Sequence, residues 1–173
     1  MFLELVGTVL AGAAAGLLVW AASRWAKGRI PRWAIPAAAG AAMIASTVSS
    51  EYGWFARTSG ALPETVAVAH TVEERAVWRP WTFLAPYVTR FVAVDRGATR
   101  THPAAPGQRL TDLLFFGRWE AIRRVPMLVD CTENRIAALA DGAEFAPDGT
   151  VANADWDAVA PDDPVLRTAC EGG

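Results

Sequence analysis

Two long apolar stretches joined by a short basic segment open this chain and constrain its fold more than any other feature. The first, residues 2–22, carries a single charge, Glu4, and a helix of that length rises about 30 Å, enough to cross the hydrocarbon core of a bilayer. The second, residues 33–55, is weaker because its apolar centre gives way to serine and threonine near its end. The sequence predicts a two-helix transmembrane hairpin over residues 1–57, with a turn at 23–32.

The predicted turn contains four basic residues and no acidic residue, whereas acidic residues occur at the outer ends of both stretches. The positive-inside rule therefore predicts a cytoplasmic turn and two external termini, which in a bacterium means a multi-pass inner-membrane protein with periplasmic termini. A cleaved signal peptide is the competing interpretation, but no Lys or Arg precedes the apolar run and the basic cluster follows it. The residues that set this topology are Arg24, Lys27, Arg29 and Arg32.

Tryptophans lie where a membrane–water interface is expected. Trp33 begins the second stretch and Trp54 lies at its end, and membrane proteins concentrate tryptophan at both interfaces. Trp78 and Trp81 flank Arg79 in a later segment that contains proline. We expect these two to pack in the core or against the membrane surface, with a recognition patch as the alternative.

Both apolar stretches are rich in glycine and alanine. Gly12 and Gly16 form a small-xxx-small motif in the first, and Gly40 and Ala41 lie in the second. Small residues let helix backbones approach closely in lipid, so these faces either pack the two helices of the hairpin together or dock helices of a larger membrane complex. No ionisable residue lies mid-membrane, so the sequence offers no proton or ion pathway.

After a linker at 58–64, residues 65–173 suffice for one small periplasmic domain. Its charge is uneven, with 10 arginines against 6 acidic residues over 57–129 and 2 arginines against 10 acidic residues over 130–173. The acidic part is usually just a solvated surface, but it also suits a basic periplasmic protein as a partner. The same charge argues against nucleic acid.

The two cysteines, Cys131 and Cys170, fall on the side of the membrane that is predicted to be oxidising. Two cysteines in that compartment are expected to form a structural disulfide. Closing a loop of about 40 residues would stabilise a small domain by roughly 4 kcal/mol in the chain-entropy model. No C-x-x-C or C-x-x-C-H occurs, so thiol exchange and covalent c-type haem have no support in the sequence.

The pattern beyond the linker predicts one small antiparallel β-sheet with a short C-terminal helix, so that the whole chain is of the α+β class. Residues 110–119 fit a helix or a strand, and we assign a strand because the next segment suits its antiparallel neighbour. A glycine- and proline-punctuated loop is predicted at 96–108, and an edge strand or irregular loop around Pro80. The predicted strands are 65–71, 87–95, 121–131 and 134–139, and the predicted helix is 165–170, capped by Asp162 or Asp163.

A set of residues near the C-terminus carries a resemblance to known domains. The set comprises Val129-Asp130-Cys131, Arg135, Leu139, Trp156, Val159, Pro161 and the terminal LRTAC that ends at Cys170. This part of the chain resembles the same part of the surface-adhesin protein E-like domains, which are small proteobacterial envelope domains. The resemblance implies a compact antiparallel sheet whose terminal helix is fastened to a strand by a Cys131–Cys170 disulfide. It covers roughly a quarter of the chain, and members of that group are typically signal-peptide or lipid-anchored, so adhesion does not transfer to a chain with a two-helix anchor.

The sequence contains no pattern typical of catalysis or of a metal site. His70 and His102 are separated by strand and turn signals, and H-E-x-x-H, G-x-S-x-G, P-loop and G-x-G-x-x-G motifs do not occur. The acidic residues near the C-terminus lack the glycine-punctuated spacing of a calcium loop. We therefore expect a protein that is not an enzyme and holds no cofactor or metal.

These observations favour a non-catalytic inner-membrane protein whose periplasmic domain binds other proteins. Its expected partners are membrane lipid and other integral membrane subunits, as an accessory or assembly subunit of a respiratory or photosynthetic complex. The alternative is a stand-alone, membrane-tethered envelope module for binding or sensing. An enzyme ranks third, with His70 and His102 as the residues to test.

Overall fold

The chain folds into two compact units, Met1–Trp54 and Phe55–Gly173. The structure is a computed structural model that describes residues 2–26, 29–139, 144–146, 151–152 and 154–171. The first unit is helical, and the second contains the end of the second long helix, an antiparallel sheet and a short C-terminal helix. The chain therefore belongs to the α+β class, as the sequence predicts.

Two helices dominate the N-terminal part, α1 (Phe2–Trp25) and α2 (Ala34–Gly60). Within the described residues, α1 is the one helix that is long and apolar enough to cross a membrane. The predicted second span also forms a helix, and α2 has sufficient length. Its serine- and threonine-rich second half leaves it short of the apolarity of a spanning segment, so the second span stays a prediction.

The two helices of the first unit pack antiparallel. A Cβ atom added to Gly12 would lie 3.2 Å from the carbonyl oxygen of Ala39 and would overlap the side chain of Met43. Nearer the start of α1, the Glu4 carboxylate accepts a hydrogen bond of 3.0 Å from the hydroxyl of Ser50. Residues near the start of α1 thus contact residues late in α2, and residues further along α1 contact residues earlier in α2, as in a helical hairpin.

Six strands of the second unit form one antiparallel sheet in the order β1-β2-β3-β4-β5-β8, and two short strands, β6 and β7, pair separately. The order of the first five follows the chain, so each strand pairs with the next through a hairpin. The strands are β1 (Val66–Glu74), β2 (Tyr87–His102), β3 (Ala105–Gly117), β4 (Arg123–Asp130), β5 (Arg135–Ala138), β6 (Glu144–Phe145), β7 (Val151–Ala152) and β8 (Asp157–Ala158).

The strands predicted at 65–71, 87–95 and 134–139 are confirmed, and 110–119 is a strand that pairs with β4. The loop predicted at 96–108 is wrong, because β2 and β3 both extend through it to a tight turn. The register shifts between Asp95 and Arg100. The Asp95 carboxylate accepts hydrogen bonds from the backbone N–H groups of Gly97 and Ala98 at 3.1 and 3.2 Å, so a β-bulge absorbs the residues that suggested a loop.

The short helix α3 (Pro164–Cys170) covers one face of the sheet. Asp163 caps it, because its carboxylate accepts hydrogen bonds from the N–H groups of Val165 and Leu166 at 2.9 and 3.0 Å. Leu166 and Ala169 join a buried cluster with Val94, Leu113, Met127 and Val129. The prediction of a capped terminal helix is therefore confirmed, with Asp163 rather than Asp162 as the cap.

Two arginines and a disulfide hold the end of α3. Arg96 donates to the carbonyl oxygen of Thr168 at 3.1 Å, and Arg109 donates to that of Ala169 at 2.9 Å. These carbonyls have no partner within a helix that ends at residue 170, so the guanidinium groups satisfy them. Cys131 and Cys170 form the predicted disulfide, with Cα atoms 5.9 Å apart.

Candidate functional site

The strand register brings two loops to the same end of the sheet. Glu74, at the end of β1, pairs with Tyr87 at the start of β2, and Phe115 near the end of β3 pairs with Arg123 at the start of β4. The loops 75–86 and 118–122 therefore emerge side by side, since Arg90 of β2 is also the register partner of Gly117.

The longer of these loops is built around a buried threonine. Thr82 is fully buried, and its hydroxyl accepts a hydrogen bond of 3.0 Å from the N–H of Ala76 and donates one of 2.7 Å to the carbonyl oxygen of Arg79. Residues 80–83 form a single 3-10 turn, with Pro80 at its first position. The prediction of an irregular segment around Pro80 is thus confirmed, and the loop is held by hydrogen bonds rather than by an apolar interior.

The large apolar side chains of both loops are exposed. In the first loop Leu84 is 92% exposed, Val77 81% and Trp78 77%, and Phe83 and Trp81 are also exposed. In the second, Trp119 and Ile122 are 58% and 62% exposed. We call these seven side chains the aromatic end. Large apolar side chains grouped at the surface of neighbouring loops mark an interaction site, because water solvates them poorly.

Arginines surround the aromatic end. Residues 73–90 and 117–124 contain six arginines and three glutamates. Arg90 forms a salt bridge of 2.9 Å with Glu120, and Arg123 lies 3.7 Å from the same carboxylate. The guanidinium of Arg118 lies 4.8 Å from the ring centroid of Trp119, which fixes cation and ring together. The surface therefore combines exposed aromatic rings with a net positive charge.

The helical hairpin offers a second surface, an apolar groove of about 610 Å³ along α1 and α2. Gly12 and Gly16 lie in it, and both face α2, so the small-xxx-small motif is used within the hairpin. Gly40 has no atom within 4 Å of the position that a Cβ would take, and Ala41 is exposed. Their packing against another helix stays a prediction. Other lining residues are Val9, Ala13, Leu17, Trp20, Ile35 and Met43.

The residues predicted to set the topology lie around the connection between the helices. Arg24, Arg29 and Arg32 are exposed, and Lys27 lies outside the described residues. Arg24 also contacts Trp20, with its guanidinium 5.3 Å from the ring centroid. Of the tryptophans assigned to a membrane interface, Trp33 is 70% exposed and Trp54 is partly buried, while the other two belong to the aromatic end.

A buried carboxylate organises the sheet away from the aromatic end. Asp130 accepts hydrogen bonds from the N–H groups of Thr132 and Glu133, from Gln108 and, at 3.0 and 3.2 Å, from Arg135. Burial opposes its charge, but these hydrogen bonds, led by the one from Glu133, outweigh it and lower the pKa of Asp130. All its partners belong to the sheet and its turns, which indicates a structural role.

The described part of the chain contains no group of three or more His, Cys, Asp and Glu side chains placed to hold a metal ion. His70 and His102 are both exposed and are not brought together, because the register partner of His70 is Val92, far along β2 from His102. The exposed His70 follows a register shift in β1 between Val68 and His70.

Sequence reasoning singled out Trp78 and Trp81 but missed most of the aromatic end. Val77, Leu84 and Ile122 resemble ordinary core residues in sequence, and only the register shows that they lie at one end of the sheet. A usable signal was present, since both segments place large apolar residues between arginines in short connections that lack strand alternation.

Comparisons with protein-family models, with curated proteins and with solved structures find no match to this chain. The resemblance to surface-adhesin protein E-like domains therefore stays a hypothesis about architecture.

Proposed function

We propose that this chain is a non-catalytic subunit of a larger bacterial inner-membrane complex, for which it serves an accessory or assembly role. In this proposal both helices lie in the membrane as a hairpin, and the sheet domain projects into the periplasm, where it binds other proteins. A respiratory or photosynthetic complex is the expected setting. No cofactor, metal or nucleic acid takes part.

The observation that carries this proposal is the open apolar groove between α1 and α2. Its lining is almost entirely apolar, and it includes Ala13, a small residue whose side chain is exposed. In lipid, helices associate where small residues allow close backbone contact, since water exclusion supplies no driving force there. The occupant that fits is an apolar membrane helix of another subunit.

The proposed topology rests on charge and on the disulfide. Arg24, Arg29 and Arg32 are exposed between the helices, as the positive-inside rule requires of a cytoplasmic connection. The linked Cys131 and Cys170 suit an oxidising compartment, which supports a position of the sheet domain on the other side of the membrane. The acidic C-terminal part suits a basic periplasmic protein.

The test fills the groove without disturbing the contact between the helices. Ala13 lines the groove and is exposed, so Ala13→Leu should occupy the space while leaving the hairpin intact. Ala14→Leu is the matched control, because Ala14 is exposed on the same helix and does not line the groove. Replacing Gly12 is unsuitable, since any side chain there would collide with Met43.

Purification from native membranes in mild detergent is expected to recover partner subunits with the natural chain and with Ala14→Leu, and to lose them severalfold with Ala13→Leu. Equal recovery with both variants, or recovery of the chain alone in every case, would contradict the proposal. Replacing both helices by an unrelated hairpin separates the alternative, because a stand-alone module on a tether tolerates the exchange and a docking subunit does not.

A further inference from the structure

We propose that the aromatic end of the sheet domain is a membrane-binding surface that takes anionic phospholipid. This inference rests on the membrane anchor of the proposed function and extends it. The exposed rings and aliphatic side chains enter the interface of the bilayer that holds the anchor, while the arginines around them bind lipid phosphates.

The hydrogen bonds inside the loop 75–86 support a lasting contact of its exposed apolar side chains with a lipid interface. Thr82, the fully buried side chain at its centre, is polar, whereas its neighbours Trp81 and Phe83 are exposed. Hydrogen bonds from Ala76 and to Arg79 hold the loop in this state. The loop therefore leaves its large apolar side chains at the surface, where a partner can cover them.

The chemistry of the surface favours a lipid interface over a protein surface. Tryptophan is enriched at the headgroup level, where its ring is apolar and its N–H remains hydrated. Arginine beside it adds attraction to anionic headgroups, which amphipathic membrane-binding segments exploit in the same way. The six arginines against three glutamates in this region give the net positive charge that such headgroups complement.

A packed aromatic cluster lies at the base of the two loops. Phe91 and Phe116 are register partners adjacent to the pair Arg90 and Gly117, and their rings stack with centroids 4.5 Å apart. Phe55, in the same unit, packs edge-on against Phe91, with ring centroids 5.4 Å apart. The strands that carry the two loops are therefore joined by packed aromatic rings.

The experiment places a photo-reactive benzoylphenylalanine at Leu84 of the full chain, with the same probe at Val68 as the matched control. Val68 lies on β1, away from both loops, and is partly exposed. The chain is reconstituted in nanodiscs of phosphatidylcholine alone or of phosphatidylcholine mixed with phosphatidylglycerol. Mass spectrometry then measures lipid adducts after irradiation.

We expect lipid adducts at position 84 severalfold above those at position 68, and more of them when phosphatidylglycerol is present. Combined Arg75→Gln and Arg123→Gln substitutions should remove that dependence on anionic lipid, because both arginines are exposed at the base of the loops. Equal adducts at the two positions, or a yield that does not respond to phosphatidylglycerol, would overturn the inference. So would a polypeptide adduct in place of lipid when the probe is used in native membranes.

Failure of the inference and failure of the proposed function are distinguishable in this design. A chain that enters nanodiscs but gives no excess of adducts at position 84 contradicts the lipid surface alone. A chain that does not enter nanodiscs contradicts the membrane anchor, and with it both proposals.

Discussion

Asp130 is the residue on which the end of the sheet beside the disulfide most depends. Its side chain is 5% exposed and forms a salt bridge of 3.0 Å with Arg135, whose guanidinium also lies 4.6 Å from the ring centroid of Trp156. The same carboxylate accepts the N–H groups of the turn 131–134, in which Asn134 adopts a positive φ of 52°. One carboxylate thus joins β4, β5 and the turn between them, next to Cys131.

Replacing Asp130 by asparagine should lower the free energy of unfolding by about 2 kcal/mol, because a buried carboxylate that accepts several hydrogen bonds loses its charge and the partly buried guanidinium of Arg135 loses one of its two charged partners. Glu133→Gln is the control, since Glu133 contacts the same arginine at 3.1 Å but is 61% exposed and should matter little. Denaturant unfolding of the full chain in mild detergent measures both variants. Equal effects would contradict the role given to Asp130.

The pH dependence of stability is a second test of the contribution of Asp130. The pKa of Asp130 is lower in the folded chain than its ordinary value, so its contribution to stability is complete above the unfolded-state pKa. That contribution is lost as the pH falls through the folded-state pKa. The Asp130→Asn variant should therefore lose less unfolding free energy than the natural chain as the pH falls into the acid range. An unchanged loss at acid pH would show that other groups control it.

At the scale of the element, the loop 75–86 owes its shape to Thr82. Thr82→Val keeps the side-chain volume but leaves the Ala76 N–H without its acceptor, a loss of about 1–3 kcal/mol for a buried donor. Amide hydrogen exchange should therefore become faster in residues 76–84 while β2 and β3 keep their protection. Thr101→Val, at an exposed threonine on β2, is the control and should leave exchange in the loop unchanged.

The elements predicted best are those in which one local signal decides the structure. Alternation alone identified the central part of β2, and the proline and aspartate before residue 165 identified α3. The extension of β2 and β3 past Asp95 was missed because a bulge hides alternation and because side-chain hydrogen bonds replace the lost ladder contacts. Such contacts depend on which strand lies alongside, and the local sequence does not contain that information.

The aromatic end shows the same limit for the candidate site. Trp78 and Trp81 stand out in the sequence, but the direction of their side chains depends on Thr82 filling the interior of the loop. Trp119 joins them only through the pairing of β2 with β3. Individual residues of such a surface can thus be recognised from the local sequence. Which residues belong to the surface depends on how the strands of the sheet pair.

In the whole molecule, the helical unit and the sheet unit have different proposed roles. The helical unit contains α1, which is long and apolar enough to cross a membrane, and the sheet unit contains the disulfide. The sequence predicts an apolar N-terminal part and a separate small domain from hydropathy, which is a property of composition along the chain. The span predicted for α2 is the weaker of the two, because Ser46, Thr47, Ser49 and Ser50 dilute its apolarity.

We propose that one chain combines a membrane-embedded helical unit with a sheet domain in an oxidising compartment. The most direct test is non-reducing peptide mapping by mass spectrometry of the native protein after its membranes have been washed at alkaline pH. We expect that the chain stays in the washed membrane and yields the linked peptides of Cys131 and Cys170. A chain released by the wash, or two free thiols in the retained chain, would contradict it.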